Sequence, residues 1–362
     1  MSLKINYKMN IIRRFSVKKV LFLGSDQISE ICLKSLVEKF PQHEFSLIST
    51  SETSPPAKLA KTMKIQMYIE SKGKMQDWKI LSPSSQLWSS PYDFLISASF
   101  GYLIPNTLIT FCKHSLNFHP SLLPKYRGSS PIQHALYNND EYTGVSIITI
   151  DPEHFDKGLL LKQEKYPENI QNETYSSLSV KLAKLGGECL SDTIQNYESH
   201  LKNSVKQDDS QASKALKLSP ELAKLSLNNT QELYNRFRSL YGTSLNPYFI
   251  FKGQRVLILS MRFCTSPELN YLNTHYPAAV TGSLWLIYPG IGKSKSPKFF
   301  KSIEKTMYLK TADHWIAITD FLQAGKSKEN RFIDFVDTNM DVFSYQTLKN
   351  FSKVPGSDLI FE

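Results

Sequence analysis

The sequence predicts an α/β domain with a mainly parallel sheet and helices on both faces, followed by a small C-terminal β-barrel domain. Short buried strands alternate with helical segments over the first half, a polar segment interrupts this pattern near residue 200, and β-rich segments dominate afterwards. At 362 residues, the chain is longer than one typical domain requires, so two domains are the natural division.

Five segments of the first half have the length and apolar character of strands: Val20–Gly24, Phe45–Ser49, Asp93–Ala98, Ser115–His119 and Gly144–Ile150. Helices are expected after the first strand, where Ser25 or Asp26 can cap, at Lys58–Lys64, and from Thr174 onward. Rossmann-like sheets of this kind bind ligands beyond the carboxyl ends of their strands. The loop that follows Ser115–His119 is such a place.

The second half predicts one helix, Thr230–Tyr241, and then β structure. The pattern of residues 248–258 predicts a hairpin that turns at Lys252-Gly253. Further strands are expected at Ala279–Tyr288, Lys305–Lys310 and Asp313–Thr319. The expected organisation is therefore a leader at residues 1–17, a first domain at 18–200, a linker at 201–214 and a second domain at 215–362.

Several classes of protein are disfavoured by composition. No stretch approaches the roughly 18 uninterrupted apolar residues of a membrane helix, so no membrane partner is expected. The four cysteines are widely separated, which predicts buried thiols in a reducing compartment and neither a zinc site nor a disulfide framework: Cys32, Cys112, Cys189 and Cys264. We expect a monomer that uses no metal.

The formal charge of +10 belongs to the two ends of the chain. Residues 1–19 hold six basic side chains and no acidic one, and residues 201–362 hold 21 basic and 14 acidic side chains. A basic, acid-free leader without a long apolar core is typical of a mitochondrial transit peptide, which predicts the matrix as the location. The alternative is a disordered basic tail on a cytosolic protein.

A pair of polar residues ends the strand at Ser115–His119. Residues two apart in a strand point to the same side, so Asn117 and His119 project together. Pro120 and Pro124 then stiffen the exit from the strand. An amide and an imidazole fixed in this way can stabilise a developing oxyanion. Taken alone, the pair is more typical of an ordinary hydrogen-bonded strand end.

The surrounding residues extend this pair into a longer motif. Residues Asn117–Gln133 resemble the signature of the 10-formyl-tetrahydrofolate-dependent formyltransferase family, and residues 140–151 with 155–158 resemble its second half. The run Gly128–Gln133 is more similar to the branch that acts on methionyl-tRNA than to the branch that acts on glycinamide ribonucleotide. The resemblance extends over about Val20 to Leu190. It implies transfer of a formyl group from 10-formyl-tetrahydrofolate to an amine.

The resemblance also implies roles for three residues. Asn117 and His119 would donate hydrogen bonds to the tetrahedral oxyanion, and Asp156 would favour the protonated imidazole and relay a proton. The loop before Asp156 is one residue longer than the family pattern, which leaves Asp151 as an alternative. Asp156 is preferred because Lys157-Gly158 follows it, although lysine replaces the small hydroxyl residue usual at that position.

Two segments are implied as folate contacts. Ser97–Pro105 is similar to the segment that lines the family's folate pocket, and the proline-rich loop after the strand supplies the rest. The candidate contact residues are Phe100, Gly101, Tyr102, Leu103, Ser121, Leu122, Leu123 and Pro124. For Leu122 and Leu123, a place in the apolar core is an equally good interpretation.

An RNA partner is suggested by a lysine-rich segment near the C-terminus. Residues 293–310 hold six lysines and one glutamate with aromatic residues between them, a composition suited to phosphates and unpaired bases. The candidate contacts to initiator methionyl-tRNA are Lys293, Lys295, Lys298, Lys301 and Lys305. The alternative is a solvated lysine loop.

The basic loop that follows the family's second strand is shortened here to Ser51–Lys64. Either Lys58, Lys61 and Lys64 are its remnant, or its contact with tRNA has moved elsewhere. Two rival functions stay open at this point. One is a formyltransferase acting on a small molecule or sugar nucleotide, and the other is a non-catalytic RNA-binding protein on the same fold.

Overall fold

The structure, a computed structural model, describes residues 17–70, 78–251, 254–281, 284–287 and 306–323. The described residues form two compact units between which the chain passes repeatedly. The first draws on Met1–His119, Ser146–Gln163 and Ala183–Gln207, and the second on Pro120–Val145, Glu164–Leu182 and Asp208–Glu362.

A seven-stranded sheet carries the features predicted for the first half of the chain. Its strands are β1 (Lys19–Leu23), β2 (Glu44–Ser49), β3 (Gln66–Ile69), β4 (Phe94–Ala98), β5 (His114–His119), β6 (Gly144–Thr149) and β7 (Leu160–Lys165). The order across the sheet is β3-β2-β1-β4-β5-β6-β7. The ladders from β3 to β5 are parallel, and β6 pairs with β5 in the antiparallel sense. The predicted mainly parallel α/β sheet is confirmed.

Helices connect the strands of this sheet and continue into the second half. They are α1 (Gln27–Lys39), α2 (Pro55–Met63), α3 (Asn106–Phe111), α4 (Pro131–Tyr137), α5 (Tyr175–Gln195), α6 (Tyr197–Lys202), α7 (Thr230–Leu240) and α8 (Ser266–His275). Helix α1 begins at a capping box in which the Asp26 carboxylate accepts from the Ser29 amide. Helix α2 begins at Pro55 and not at the predicted Lys58, because the Ser54 hydroxyl caps it and two prolines fit its first turn.

The second half contains a five-stranded antiparallel sheet, which confirms the predicted small β domain. Its strands are β8 (Tyr248–Phe251), β9 (Gln254–Phe263), β10 (Leu284–Ile287), β11 (Thr306–Lys310) and β12 (Trp315–Gln323), in the order β10-β11-β12-β9-β8. Strands β8 and β9 form the predicted hairpin, and the turn residues Lys252 and Gly253 lie outside the described residues.

Two features of this half differ from the prediction. Helix α8 was not predicted, although Thr265 and Glu268 form a capping box at its start. The strand expected from Ala279 begins only at Leu284. The reason is that the chain after α8 is still turning, with the Ala279 amide donating to the Tyr276 carbonyl.

Three of the four cysteines are buried, and Cys264 is half-buried. Among the described residues, no helix is both long and apolar enough to cross a membrane.

Helix α7 contributes a fully buried guanidinium to the second unit. Arg238 donates hydrogen bonds to oxygen atoms of Leu136, Asn139, Ile170, Glu173 and Asn235. Burial lowers the pKa of Arg238. The arginine thus adds donors to the Leu136 carbonyl in the last turn of α4 and to the Ile170 carbonyl in the loop before α5.

A buried carboxylate organises the start of α8. Glu268 is fully buried and receives paired hydrogen bonds from Arg262 at 2.7 and 2.8 Å. The Thr265 amide and the Tyr308 hydroxyl donate to the same carboxylate at 2.6 and 2.5 Å. Burial by itself raises the pKa of Glu268, but these hydrogen bonds outweigh it and lower the pKa to about 2.

We therefore expect Glu268→Gln to reduce the free energy of unfolding at pH 7 by about 3 kcal/mol, because it leaves Arg262 without its buried partner. A carboxyl group whose pKa is lowered by folding stabilises above its unfolded pKa of about 4.3, and this contribution is lost as the pH falls towards about 2. Urea unfolding at pH 7 and at pH 3 should show the difference from wild type shrinking with acid.

Glu52→Gln is the control, because Glu52 forms an exposed ion pair with Lys61 and should change stability little. An equal loss of stability in both variants, or a difference from wild type that grows with acid, would contradict the assignment.

Candidate active site

The carboxyl end of β5 presents two polar side chains on one side and an aromatic one on the other. Phe118 points towards α5, where a Cβ atom on Gly186 would lie 2.1 Å from the phenyl ring, so only glycine leaves room for it. Because side chains alternate along a strand, Asn117 and His119 face the opposite side. His119 is only 4% exposed there.

Strand β5 is an interior strand, which fixes the backbone of both residues. Asn117 is opposite Ser97 of β4 and Ile148 of β6, and His119 is opposite Ser146 of β6. Strands paired on both sides have little freedom to shift, so the two side chains start from well-defined positions.

Asp156 meets this pair from the loop that follows β6. Its Oδ1 atom lies 3.3 Å from Asn117 Nδ2 and 3.5 Å from His119 Nδ1. The Asp156 side chain is 12% exposed and that of His119 is 5% exposed, so the contacts are largely shielded from water. One carboxylate oxygen is therefore shared between an amide donor and an imidazole nitrogen.

Asp151, the alternative carboxylate, makes different contacts. Its Oδ1 atom accepts hydrogen bonds from the amides of Glu153 and His154, both at 2.8 Å. The Glu153 amide, opposed by burial and supported by the His154 amide and side chain, lowers the pKa of Asp151. Asp151 thus closes the first turn of the loop, and Asp156 is the carboxylate that contacts Asn117 and His119.

The loop between these residues folds back onto the end of β6. The Thr149 amide donates to the Leu159 carbonyl at 3.0 Å, and the Thr149 hydroxyl accepts from the Leu159 amide at 2.9 Å. A Cβ atom on Gly158 would lie 1.7 Å from the Thr149 carbonyl oxygen. Any side chain there would force the loop away, so glycine is required for the approach. Lys157, beside it, is exposed.

The first predicted folate segment follows β4. The Phe100 ring is 3% exposed and packs edge-on against Trp78 and Tyr102, while Leu103 is 45% exposed. Gly101 has a φ of 81°, in the left-handed region that favours glycine. The segment therefore combines a buried aromatic anchor with an exposed apolar side chain.

Two hydrogen bonds tie this segment to the turn after β1. Ser25 Oγ donates to the Phe100 carbonyl at 2.9 Å, and Ser99 Oγ donates to the Asp26 carboxylate. Burial raises the pKa of Asp26, and the hydrogen bonds from Ser99 and Ser29 oppose this rise. Since β1 and β4 are neighbours where the strand order reverses, these contacts hold the edge at which such sheets bind ligands.

The second predicted folate segment belongs to the second unit. Ser121 is fully buried, and its hydroxyl donates to the Lys125 carbonyl at 2.6 Å. Leu123 is 2% exposed, precedes a cis peptide bond to Pro124, and is a core residue by burial. Leu122 is half-buried and packs closely against Gly144. A Cβ atom on Gly144 would lie 2.5 Å from Leu122 Cδ2.

The five lysines predicted to contact RNA, Lys293, Lys295, Lys298, Lys301 and Lys305, lie outside the described residues. Among the described residues, no group of three or more histidine, cysteine, aspartate and glutamate side chains is arranged to hold a metal ion.

A cavity of about 430 Å³ opens at the amino ends of β1, β2 and β3, where its lining includes Lys19, Glu44 and Gln66. None of the predicted site residues lines this cavity.

Sequence reasoning missed Gln207, a buried residue in the segment predicted to be a linker. Its amide donates to the carbonyl groups of Asp156 and Gly158. No local signal identifies it, because its partners are about fifty residues away in the sequence.

The chain is similar to known formyltransferases. Residues 18–194 match the family model described as formyl transferase. A methionyl-tRNA formyltransferase of Mycoplasmopsis pulmonis is 32% identical over 253 residues, which cover 66% of this chain and 83% of that protein. The human mitochondrial methionyl-tRNA formyltransferase is 31% identical over 227 residues, which cover 61% of this chain and 57% of that protein.

Among solved structures, an N-formyltransferase from Helicobacter canadensis, in complex with folinic acid and dTDP-3-aminofucose, shares the fold. Its TM-score is 0.52 at 17% identity, and the match covers 84% of this chain and 99% of that chain. This protein belongs to the formyl transferase family and is a formyltransferase enzyme.

Proposed function

We propose that this enzyme transfers the formyl group of 10-formyl-tetrahydrofolate to the amino group of initiator methionyl-tRNA, using Asn117, His119 and Asp156. The observation that carries the proposal is the buried Asp156 oxygen, 3.3 Å from the Asn117 amide nitrogen and 3.5 Å from His119 Nδ1. A carboxylate, an imidazole and an amide in this arrangement are the groups that acyl transfer to an amine requires.

The proposed reaction begins with attack of the neutral amine on the formyl carbon. A C–N bond forms, the formyl oxygen becomes an oxyanion, and the amine nitrogen acquires a positive charge. The amine then loses a proton, the bond from the formyl carbon to the folate nitrogen breaks, and that nitrogen leaves with a proton. The products are the formylated amine and tetrahydrofolate.

In this scheme Asn117 and His119 stabilise the oxyanion. The Asn117 amide carries two hydrogens, so it can donate to Asp156 and to the oxyanion together. His119 faces Asp156 through Nδ1, and its Nε2 is proposed as the ring nitrogen that donates to the oxyanion. Asp156 accepts the amine proton directly or through a water.

Contacts with the donor are proposed for the first segment implied by the family resemblance. Residues 100–103 offer an exposed Leu103 next to a backbone that Ser25 holds by a hydrogen bond to the Phe100 carbonyl. Apolar side chains beside backbone polar groups suit a flat heterocycle such as the pterin. The folinic acid in the complex from Helicobacter canadensis adds support for a folate-derived donor.

Methionyl-tRNA is proposed as the acceptor on two grounds. The curated relatives from Mycoplasmopsis pulmonis and human are named as methionyl-tRNA formyltransferases. Residues 201–362 hold seven more basic than acidic side chains, the charge balance of a domain that binds nucleic acid. The domain boundaries at 18–200, 201–214 and 215–362 are proposed accordingly, with the last as the tRNA-binding part.

A nucleotide-linked amino sugar is the second candidate acceptor. It is favoured by the shared fold of the Helicobacter canadensis enzyme, which binds dTDP-3-aminofucose. The formyl transfer chemistry would be the same, because both acceptors present a primary amine. The basic C-terminal half gives methionyl-tRNA the better support.

A mitochondrial location and a monomeric state are part of the proposal. The basic, acid-free residues 1–17 support import into the matrix, where formyl-methionine would serve translation initiation. The human relative is a mitochondrial enzyme, while the Mycoplasmopsis relative is equally similar.

Asp156→Asn should lower kcat by about 10²- to 10³-fold, because an amide cannot accept the amine proton. Asparagine is the suitable replacement, since Asp156 has a φ of 55° and asparagine tolerates that region. Asp151→Asn, in the same loop, should keep kcat near wild type. Steady-state kinetics of both variants test the assignment, and the reverse pattern would move the role to Asp151.

Incubation with 10-formyl-tetrahydrofolate and charged initiator methionyl-tRNA should yield formyl-methionine on the tRNA. Uncharged tRNA and free methionine are the controls and should give no product. A dTDP-linked amino sugar is offered in parallel. Formylation of the sugar alone would replace the proposed acceptor, and failure to turn over the donor with any amine would indicate a non-catalytic protein.

Replacement of Lys293, Lys295, Lys298, Lys301 and Lys305 by alanine should weaken binding of methionyl-tRNA. The plot of log affinity against log salt should also become shallower, because fewer counterions are released from phosphates. Lys34→Ala and Lys39→Ala, both on α1, should leave this slope unchanged. Binding titrations from 50 to roughly 200 mM salt compare these variants with wild type. If the variant with all five lysines replaced kept the wild-type slope, these lysines would not contact the tRNA.

A further inference from the structure

Gln207 lies in the segment after α6, where the chain runs alongside the start of β7. The Leu160 amide donates to the Val205 carbonyl at 2.9 Å, and the Val205 amide donates to the Leu160 carbonyl at 3.0 Å. This pairing brings the following residues next to the loop that carries Asp156. Gln207 is 6% exposed, although glutamine is mostly an exposed residue in proteins.

The Gln207 side chain bridges two carbonyl groups of that loop. Its Nε2 atom donates to the Asp156 carbonyl at 2.8 Å and to the Gly158 carbonyl at 2.9 Å. A primary amide has two N–H donors, so this nitrogen uses both on one short turn. The distances are those of well-formed hydrogen bonds.

The side chains of this turn contribute little burial to it. Residues 152–155 are exposed, and Phe155 is 67% exposed, so burial of these side chains does not hold the loop. Asp156 has a φ of 55°, a conformation that costs an L-residue roughly 1 kcal/mol. A conformation of this kind persists where surrounding contacts impose it.

We infer that Gln207 is a positioning residue for catalysis: by holding the carbonyls of Asp156 and Gly158, it aims the Asp156 carboxylate at Asn117 and His119. The inference rests on the proposed role of Asp156. It assigns to the segment after α6 a direct part in ordering the active site, beyond joining two domains. Gln207 itself contacts backbone atoms, and its effect on the reaction passes through Asp156.

Gln207→Met tests this, because methionine has a similar length and lacks both donors. Its kcat should fall by about 10- to 100-fold, the loss expected when a catalytic group is misplaced by about 1 Å. The KM for 10-formyl-tetrahydrofolate should stay within about twofold, because binding of the donor does not pass through Asp156. Gln211→Met is the matched control, since Gln211 is exposed in the same segment. It should retain wild-type kcat.

A double-mutant cycle separates positioning from general support of the fold. In an Asp156→Asn background, Gln207→Met should cause no further loss of kcat, because its effect depends on the carboxylate that is already gone. Thermal unfolding of each variant is followed in parallel. If Gln207→Met does not fold, Gln207→Glu takes its place in the cycle. Glutamate keeps the shape of the side chain and has an oxygen in place of the NH2 group that donates both hydrogen bonds.

The outcomes distinguish the inference from the function on which it rests. Normal kcat in Gln207→Met or Gln207→Glu, with a large loss in Asp156→Asn, would overturn the role of Gln207 alone. An equal loss from Gln207→Met in both backgrounds would also overturn it, because the effect would then bypass Asp156. Normal kcat in Asp156→Asn would overturn the proposed role of Asp156 together with this inference.

Discussion

The candidate site depends on one carboxylate oxygen, Oδ1 of Asp156, which is shared by the Asn117 amide and the His119 imidazole. Asn117 and His119 come from an interior strand, and Asp156 comes from a loop nearly forty residues later. Because the carboxylate and the imidazole are largely shielded from water, their interaction is stronger than at the protein surface. The surrounding structure can be understood as the means of keeping these three groups together.

Different physical devices hold the two sides of this contact. The strand side is held by backbone pairing on both edges of β5 and by the fit of Phe118 against Gly186. The loop side has little burial and relies on particular hydrogen bonds, together with the close approach of Gly158 to Thr149. A loop of this kind tolerates a change of length only if the new residue is absorbed away from the carboxylate. The Asp151 turn, which closes on the amides of Glu153 and His154, provides such a place.

The chemistry of the site and the identity of its acceptor have different physical origins. Formyl transfer requires only an amine at the formyl carbon and groups that stabilise the oxyanion, so enzymes acting on sugars and on tRNA can share the same fold. Selection of a large, charged acceptor requires surface away from the reacting atoms. For this protein, the proposal of methionyl-tRNA as the acceptor rests on the basic C-terminal half and on the names of its curated relatives.

The fold class and the pairing of Asn117 with His119 could be predicted from the sequence, because hydrophobic periodicity and alternation along a strand are local properties. Strands β3 and β7 and helices α3, α4, α6 and α8 were not predicted, because their short segments carry weak periodicity. The capping box of α8, formed by Thr265 and Glu268, is nevertheless a local sequence signal. Only the tertiary structure decided between Asp151 and Asp156 as the neighbour of this pair. That choice depends on how the loop folds back, and the contacts that direct it join Thr149 to Leu159 and Gln207 to Asp156. Contacts between residues so distant in the chain leave no periodic or local pattern. The sequence could therefore predict the candidate site residues but not the contacts that hold them in place.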